Sequence, residues 1–327
     1  MARKKGERRK MLLKKICLIT GIIIVILGLI LFKPISTANL TAHGNPATTY
    51  EQGINTLKLF QTQDTAHIYQ PCRTQLLTHG KKTPKVIILL HGYTNCPEQF
   101  KKLGTAFYSI GYNVVIPRLP YHGYINRNWH DLEKLRAEDL TQTLDTVIDG
   151  TSGLADQVIV AGLSGGGIMA GWTGQERSLT KAVLIAPSFL SEQVSVPALN
   201  ALRTLPNFFR WWDPVGQDTT PGFDHVYPGY STHALGEIWR LGHALIQFSH
   251  HKPQTNSLLI ITNASDHQVD NFVTQSLIDN WRRSGATVET YTFPENWHLN
   301  HDIIDPHSPE QQIDKVYPQL LKLIDKQ

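Results

Sequence analysis

The pentapeptide Gly162-Leu163-Ser164-Gly165-Gly166 sets a serine between glycines at the second position on either side. G-x-S-x-G is the spacing of a nucleophile elbow, where a sharp strand-to-helix turn lifts the hydroxyl above a sheet. Glycine is needed there because neighbouring chains come too close for a Cβ. The helix N-terminus behind the serine favours the negative charge that develops during attack. Such a hydroxyl also needs a base to take its proton and a carboxylate to orient that base. His298 and His301, in Glu295-Asn296-Trp297-His298-Leu299-Asn300-His301-Asp302, are the two candidates for the base. Asp266, in Asn263-Ala264-Ser265-Asp266-His267, is preferred as the carboxylate over Asp270, which falls in the helix expected to follow. The expected oxyanion-hole donors are the backbone N–H groups of Tyr93, in His91-Gly92-Tyr93-Thr94, and of Gly165, next to the nucleophile. Together these groups would run acyl transfer through an acyl-enzyme.

Such groups must sit at the ends of parallel strands, and the hydropathy pattern predicts those strands. Short β-branched runs alternate with longer amphipathic stretches from about residue 74, as βαβ units do. Strands are expected over 86–90, 112–116, 157–161, 181–186, 258–262 and 287–293, with helices over 97–110, 132–148, 164–175 and 269–283. Ser308-Pro309-Glu310-Gln311 reads as the capped start of a last helix. Between Ala186 and Ser257 lie 70 residues, far more than a crossover needs. They hold Phe208, Phe209, Trp211, Trp212, Phe223, Tyr227, Tyr230 and Trp239, so a lid insertion over about 187–256 is expected.

Of 327 residues, 41% are hydrophobic and 18% charged, which suits one globular body with a sizeable core and excludes a polytopic membrane protein. The net charge of +4 comes from the first 15 residues, which hold eight Lys or Arg and one acid; the rest has 23 basic and 26 acidic residues. No basic patch marks the body as a nucleic-acid binder. Residues 1–15 are therefore a basic tail and 16–32 an apolar run suited to a transmembrane anchor. Residues 33–64 read as a stalk, and 65–327 as the catalytic domain. Basic residues before the run and almost none after it predict a cytoplasmic N-terminus and an extracytoplasmic body. A cleaved signal peptide, with Ser36-Thr37-Ala38 at the cleavage site, is the alternative. An exported body with only Cys72 and Cys96 invites a disulfide, against the alternative of two buried thiols. No H-E-x-x-H signature is present, and His298-x-x-His301 alone is a poor ligand pair, so neither metal nor cofactor is expected.

The order strand–His-Gly-Tyr, strand–G-x-S-x-G–helix, strand–Asp, strand–His resembles the α/β-hydrolase superfamily over roughly residues 75–325. Within it the chain looks like the bacterial esterase, monoacylglycerol-lipase-like and serine-aminopeptidase-like branch. The likeness is carried by His91-Gly92-Tyr93-Thr94-Asn95-Cys96-Pro97, Pro117-Arg118-Leu119-Pro120-Tyr121-His122-Gly123 and His301-Asp302-Ile303-Ile304-Asp305-Pro306. That resemblance implies an α/β-hydrolase fold with a mostly parallel central sheet flanked by helices, to which the insertion and the apolar run read above add a lid and one N-terminal transmembrane helix. It also implies His301 as the base and a pairing of Cys96 with an upstream cysteine. One departure is Asn95, where H-G-x-x-G loops carry a second glycine. The expected activity is hydrolysis of short to medium acyl esters or monoglycerides at the membrane. Peptidase, thioesterase or acyltransferase chemistry on the same triad, or a non-catalytic binding module, are the alternatives.

Overall fold

The computed structural model describes residues 2–190, 195–204 and 224–326. Its strands are β1 (Gln75–Leu77), β2 (Thr83–Leu90), β3 (Asn113–Ile116), β4 (Ala155–Leu163), β5 (Lys181–Ile185), β6 (Ser257–Asn263) and β7 (Val288–Phe293). They form one sheet in the order β1-β3-β2-β4-β5-β6-β7, with β1 an antiparallel edge and every other pairing parallel. The helices are α1 (Ala2–Leu31), α2 (Tyr50–Gln61), α3 (Glu98–Ser109), α4 (Ala137–Ser152), α5 (Gly165–Glu176), α6 (Val196–Thr204), α7 (Thr232–Phe248), α8 (Asn271–Arg283) and α9 (Ile313–Asp325).

The near-continuous apolar strands are explained by burial on both faces. Val86, Ile88 and Leu90 of β2 enter one core with Val160, Leu184 and Ile260; Ile87 and Leu89 enter the other with Ile159, Val183 and Ile261. This is the period-2 alternation of a pleated strand, filled on both sides. Leu144, Trp172, Leu241 and Trp281 cover the first face from α4, α5, α7 and α8. Phe100, Leu103 and Phe107 of α3, with Val316, Leu320 and Ile324 of α9, cover the second at helical spacing.

Three expectations are revised. Residues 33–64 are no free stalk: Leu40 is fully buried, Trp172 Nε1 donates to its carbonyl at 2.6 Å, and α2 packs on α4 through Leu57 and Phe60. Much of the expected lid is α7, whose Ala234, Ile238, Leu241 and Leu245 complete the first core, so it serves as the β5–β6 crossover. Phe208, Phe209, Trp211, Trp212 and Phe223 lie outside the described residues. Ser308 does not cap the last helix, which starts at Ile313. Its hydroxyl accepts from Asn300 Nδ2 at 3.1 Å instead, and Gln311 Oε1 receives the Ile313 amide at 3.0 Å.

Candidate active site

The residues singled out for chemistry gather at one end of the sheet. Tyr93 follows β2, Ser164 follows β4, Asp266 follows β6, and both His298 and His301 follow β7. Open α/β sheets bind ligands at the carboxyl ends of their strands. Ser164 has φ +58° and ψ −117°, a backbone state costly for a residue with a Cβ. Its surroundings hold it there. The Ser164 amide donates to Ile185 O at 2.9 Å, and its carbonyl accepts from the Ile168 and Ser188 amides, each at 3.2 Å. A Cβ on Gly162 would lie 2.1 Å from Gly166 O, and one on Gly166 would lie 2.1 Å from Leu90 O. Both motif glycines are therefore dictated by backbone contact.

A Cβ built on Gly165 would lie 3.6 Å from Tyr93 N, so the two expected oxyanion donors border one space. Among the described residues neither amide has a hydrogen-bond partner within the protein. The Tyr93 loop is braced from three sides. Gln99 Oε1 accepts from the Gly92 amide at 2.8 Å, and Thr94, at φ +70°, accepts from the Tyr227 amide at 2.8 Å. Tyr93 Oη donates to Ser231 O at 2.8 Å and accepts from the Ser231 amide at 3.0 Å; burial pushes this phenol well above its usual range. Cys72 and Cys96 form a disulfide that fastens the loop's far end to the segment before β1.

His301 Nδ1 lies 2.6 Å from Asp266 Oδ2, with the imidazole 12% exposed and the carboxylate fully buried. Asp266 Oδ1 accepts the Gln268 amide at 2.8 Å, which leaves Oδ2 for the ring. His298 is exposed, sits in the left-handed region at φ +49°, and caps a 3₁₀ turn, its amide donating to Glu295 O at 2.9 Å. Asp270 caps α8, accepting the Phe272 amide at 2.9 Å. Of the two histidines and two aspartates, the structure brings together His301 and Asp266.

Around that pair lies a network with no local sequence signal. Asn263, the last residue of β6, donates through Nδ2 to Leu299 O and Asn300 O at 3.0 and 2.9 Å, latching the His301 loop to the Asp266 loop. Behind it, His225 Nε2 meets Asp305 Oδ2 at 2.7 Å in full burial, and Asn95 Nδ2 donates to the same oxygen at 3.2 Å. Asn95 thus uses the position of the missing glycine to join the Tyr93 loop to the His301 loop. Burial pushes the Asp305 carboxyl up, but the hydrogen bond and charge of His225 outweigh it and hold the group below its ordinary value. Asp302 is pushed up by burial and by Asp305; its Oδ2 accepts from Gln99 Nε2 at 2.6 Å.

His91 and His122 are buried packing residues. His91 Nε2 accepts the Leu119 amide at 3.2 Å, and its ring stacks edge-on against His122 at 5.1 Å. Burial keeps both below the ordinary imidazole range, His122 at about 4. No cluster of three or more metal-binding side chains occurs among the described residues.

The alpha/beta hydrolase family model matches residues 87–314, which is more than half of the chain. The chain is an alpha/beta hydrolase. This hydrolase is 26% identical over 144 residues to the thermostable monoacylglycerol lipase of Bacillus sp. (strain H-257), a match covering 43% of this chain and 54% of the relative. It thus spans about half the length of that curated relative. Its fold is similar to a structure of the metagenome-derived lipolytic enzymes LipS and LipT, with TM-score 0.61, 20% identity, and coverage of 80% of this chain and 100% of the other. A monoacylglycerol lipase from Paleococcus ferrophilus aligns with TM-score 0.55 and 13% identity, over 79% of this chain and 98% of that one. In this hydrolase one N-terminal helix, Arg8–Leu31, is long and apolar enough to cross a membrane.

Proposed function

We propose that this hydrolase cleaves carboxylic esters through Ser164, His301 and Asp266. The observation that carries the reading is the 2.6 Å contact between His301 Nδ1 and the buried Asp266 carboxylate, at the same sheet end as a serine held in elbow geometry. With Nδ1–H donating to Asp266, Nε2 is left as the base. It takes the Ser164 proton as Oγ attacks the ester carbonyl, then returns it to the departing alcohol. Water, activated by the same nitrogen, releases the acid. The Tyr93 and Gly165 amides receive the oxyanion, and two such donors are worth several kcal/mol of barrier. No metal or cofactor has a step in this chemistry.

The proposed substrates are short to medium acyl esters or monoglycerides. The partial relative named as a monoacylglycerol lipase supports this class. The body is proposed to lie outside the cytoplasm, anchored by residues 16–32, with the basic residues 1–15 inside. The Cys72–Cys96 disulfide favours an oxidising compartment. The test is hydrolysis of p-nitrophenyl esters of graded chain length by the full protein in detergent, beside Ser164→Ala. Turnover lost with the serine, together with fluorophosphonate labelling of wild type alone, supports the reading. A folded wild type that neither hydrolyses any ester nor takes the label rejects it.

A further inference from the structure

The apolar helix and the body are joined by more than a covalent link. From residue 8 onward, α1 exposes nearly every side chain, Ile16, Ile19, Ile23, Ile26 and Leu29 among them; only Gly28 and Leu31, in its last turn, are half-buried. The candidate span Arg8–Leu31 is basic at its start, and its apolar run from Ile16 to Leu31 reaches about 24 Å at ~1.5 Å per residue. Leu12 and Leu13 extend it to about 30 Å, the thickness of a ~30 Å hydrocarbon core, with Lys14 and Lys15 snorkelling to the interface. The last turn packs on α6. There the buried side chain of Asn200 donates through Nδ2 to Leu31 O at 2.9 Å and Lys33 O at 2.7 Å, satisfying carbonyls that a helix end leaves open. The chain beyond stays fastened: Arg240 Nε donates to Ser36 O at 2.8 Å, and Thr37 Oγ1 donates to Gln247 at 3.0 Å.

From this clasp a short path leads to the nucleophile. α6 packs on α7, where a Cβ on Gly236 would meet Arg203 and Leu202. Ile238 Cγ2 of α7 lies 3.6 Å from a Cβ built on Gly165, beside Ser164. Trp239 Nε1 donates to Ser188 O at 3.0 Å, and the Ser188 amide donates to Ser164 O at 3.2 Å. A helix end clasped this way sets the height and tilt of the body, because the membrane fixes the helix and Asn200 and Arg240 fix the body to the helix.

We propose that α6, which packs on α7 behind the Ser164 site, rests on the bilayer surface, and that the substrate is an amphiphilic acyl ester drawn from that leaflet. This rests on the reading of α1 as a membrane span and, for the substrate, on the ester-hydrolase reading above. α6 lies within a turn of the point where the apolar helix ends, which is headgroup level. The leaflet supplies the one partner that presents acyl esters there at high local concentration.

The test uses the full chain in phosphatidylcholine vesicles, with Cys17→Ser and Val196→Cys carrying a bimane on the exposed face of α6. It is compared with the same protein bearing Asn200→Ala and a Gly/Ser insertion of about 12 residues after Lys33, a flexible reach of roughly 19 Å. Lipids spin-labelled at the headgroup should quench the clasped protein strongly and the released one several-fold less. The ratio of turnover on a monoacyl ester embedded in the same vesicles to turnover on dissolved p-nitrophenyl butyrate should fall about tenfold on release, as the effective concentration of substrate at the site drops. A bimane unquenched by lipid in the clasped protein, or quenched only by a second labelled copy, overturns the docking. An unchanged turnover ratio overturns the leaflet route. Strong quenching with neither ester cleaved keeps the docking and rejects the ester chemistry, so the two failures are told apart.

Discussion

Ser164 and His301 reach the same end of the sheet by opposite means. Around Ser164 the geometry is imposed by backbone: carbonyls 2.1 Å from any added Cβ at Gly162 and Gly166, and a main-chain lattice from Ile185, Ile168 and Ser188. Around His301 it is imposed by side chains drawn from distant parts of the chain: Asp266, Asn263, Asp305, His225 and Asn95. The first kind of support tolerates almost no substitution, and its failure removes the fold. The second consists of separable bonds, so its parts can be removed one at a time while the sheet survives.

The comparison breaks most visibly at Gly166. Gly166→Ala should exceed the ~1–3 kcal/mol usual for overpacking, because the contact is with the Leu90 carbonyl and not with a side chain that can turn away. Folded protein should not accumulate, as circular dichroism and yield would report. A well-folded Gly166→Ala protein would show the elbow to be softer than its contacts.

On the other side, His301→Ala should leave the fold intact and lower kcat by roughly 10⁶-fold, the scale of losing the histidine of a triad. His298→Ala, at an exposed turn cap, should change kcat less than about twofold. Equal losses in the two variants would show that the pair with Asp266 does not select the base.

This contrast also accounts for what the sequence made legible. The five inner parallel strands were readable because burial on both faces leaves continuous apolar runs, the edge strand β7 because its Val, Thr, Tyr and Phe favour a pleated strand, and the elbow because its steric demand is met by glycines within five residues. The His–Asp pairing was only half readable. Residues 263–270 and 295–302 offered two acids and two bases, and the choice rests on an Oδ2–Nδ1 contact across 35 positions. The His225–Asp305 pair, separated by 80 positions, left no pattern, and neither did the Asn263 latch. Apolar periodicity in α7 was obscured by the aromatic-rich insertion around it. Residues 33–64 read as a stalk because Leu40 stands alone in a polar stretch and the buried apolar side chains of α2, Leu57 and Phe60, are too few to set a clear period.

A third prediction probes the separable network. His225→Leu should leave the buried Asp305 without its counter-ion and cost about 3–5 kcal/mol of stability. Adding Asp305→Asn removes the stranded charge while Asn95 keeps an acceptor, so the double variant should recover more than half of that loss. Denaturant midpoints of the full chain in detergent would measure both. A double variant no more stable than His225→Leu would mean that the pair acts by shape alone.

Acid should separate the two halves in order. His122 packs beside Tyr93 and His91, its buried Nε2 has no hydrogen-bond partner among the described residues, and burial holds it at about 4. A free imidazole titrates near ~6.5. Between those values the unfolded chain binds a proton that the folded one does not, so stability falls as pH falls, and the effect levels off below the folded value. From pH 7.5 to 5 this one group should cost about 2 kcal/mol, with His91 adding in the same direction. Asp305 behaves oppositely in range. Its folded value is depressed, so its contribution is intact above the ordinary carboxyl value and is lost only as pH drops through the lower one. His122→Gln should therefore flatten stability between pH 7.5 and 5 by about 2 kcal/mol and leave the steeper acid limb in place. If the slope in that window is unchanged in His122→Gln, the imidazole is already protonated or hydrated in the fold, and the elbow side has a charge-bearing group where its packing requires a neutral one.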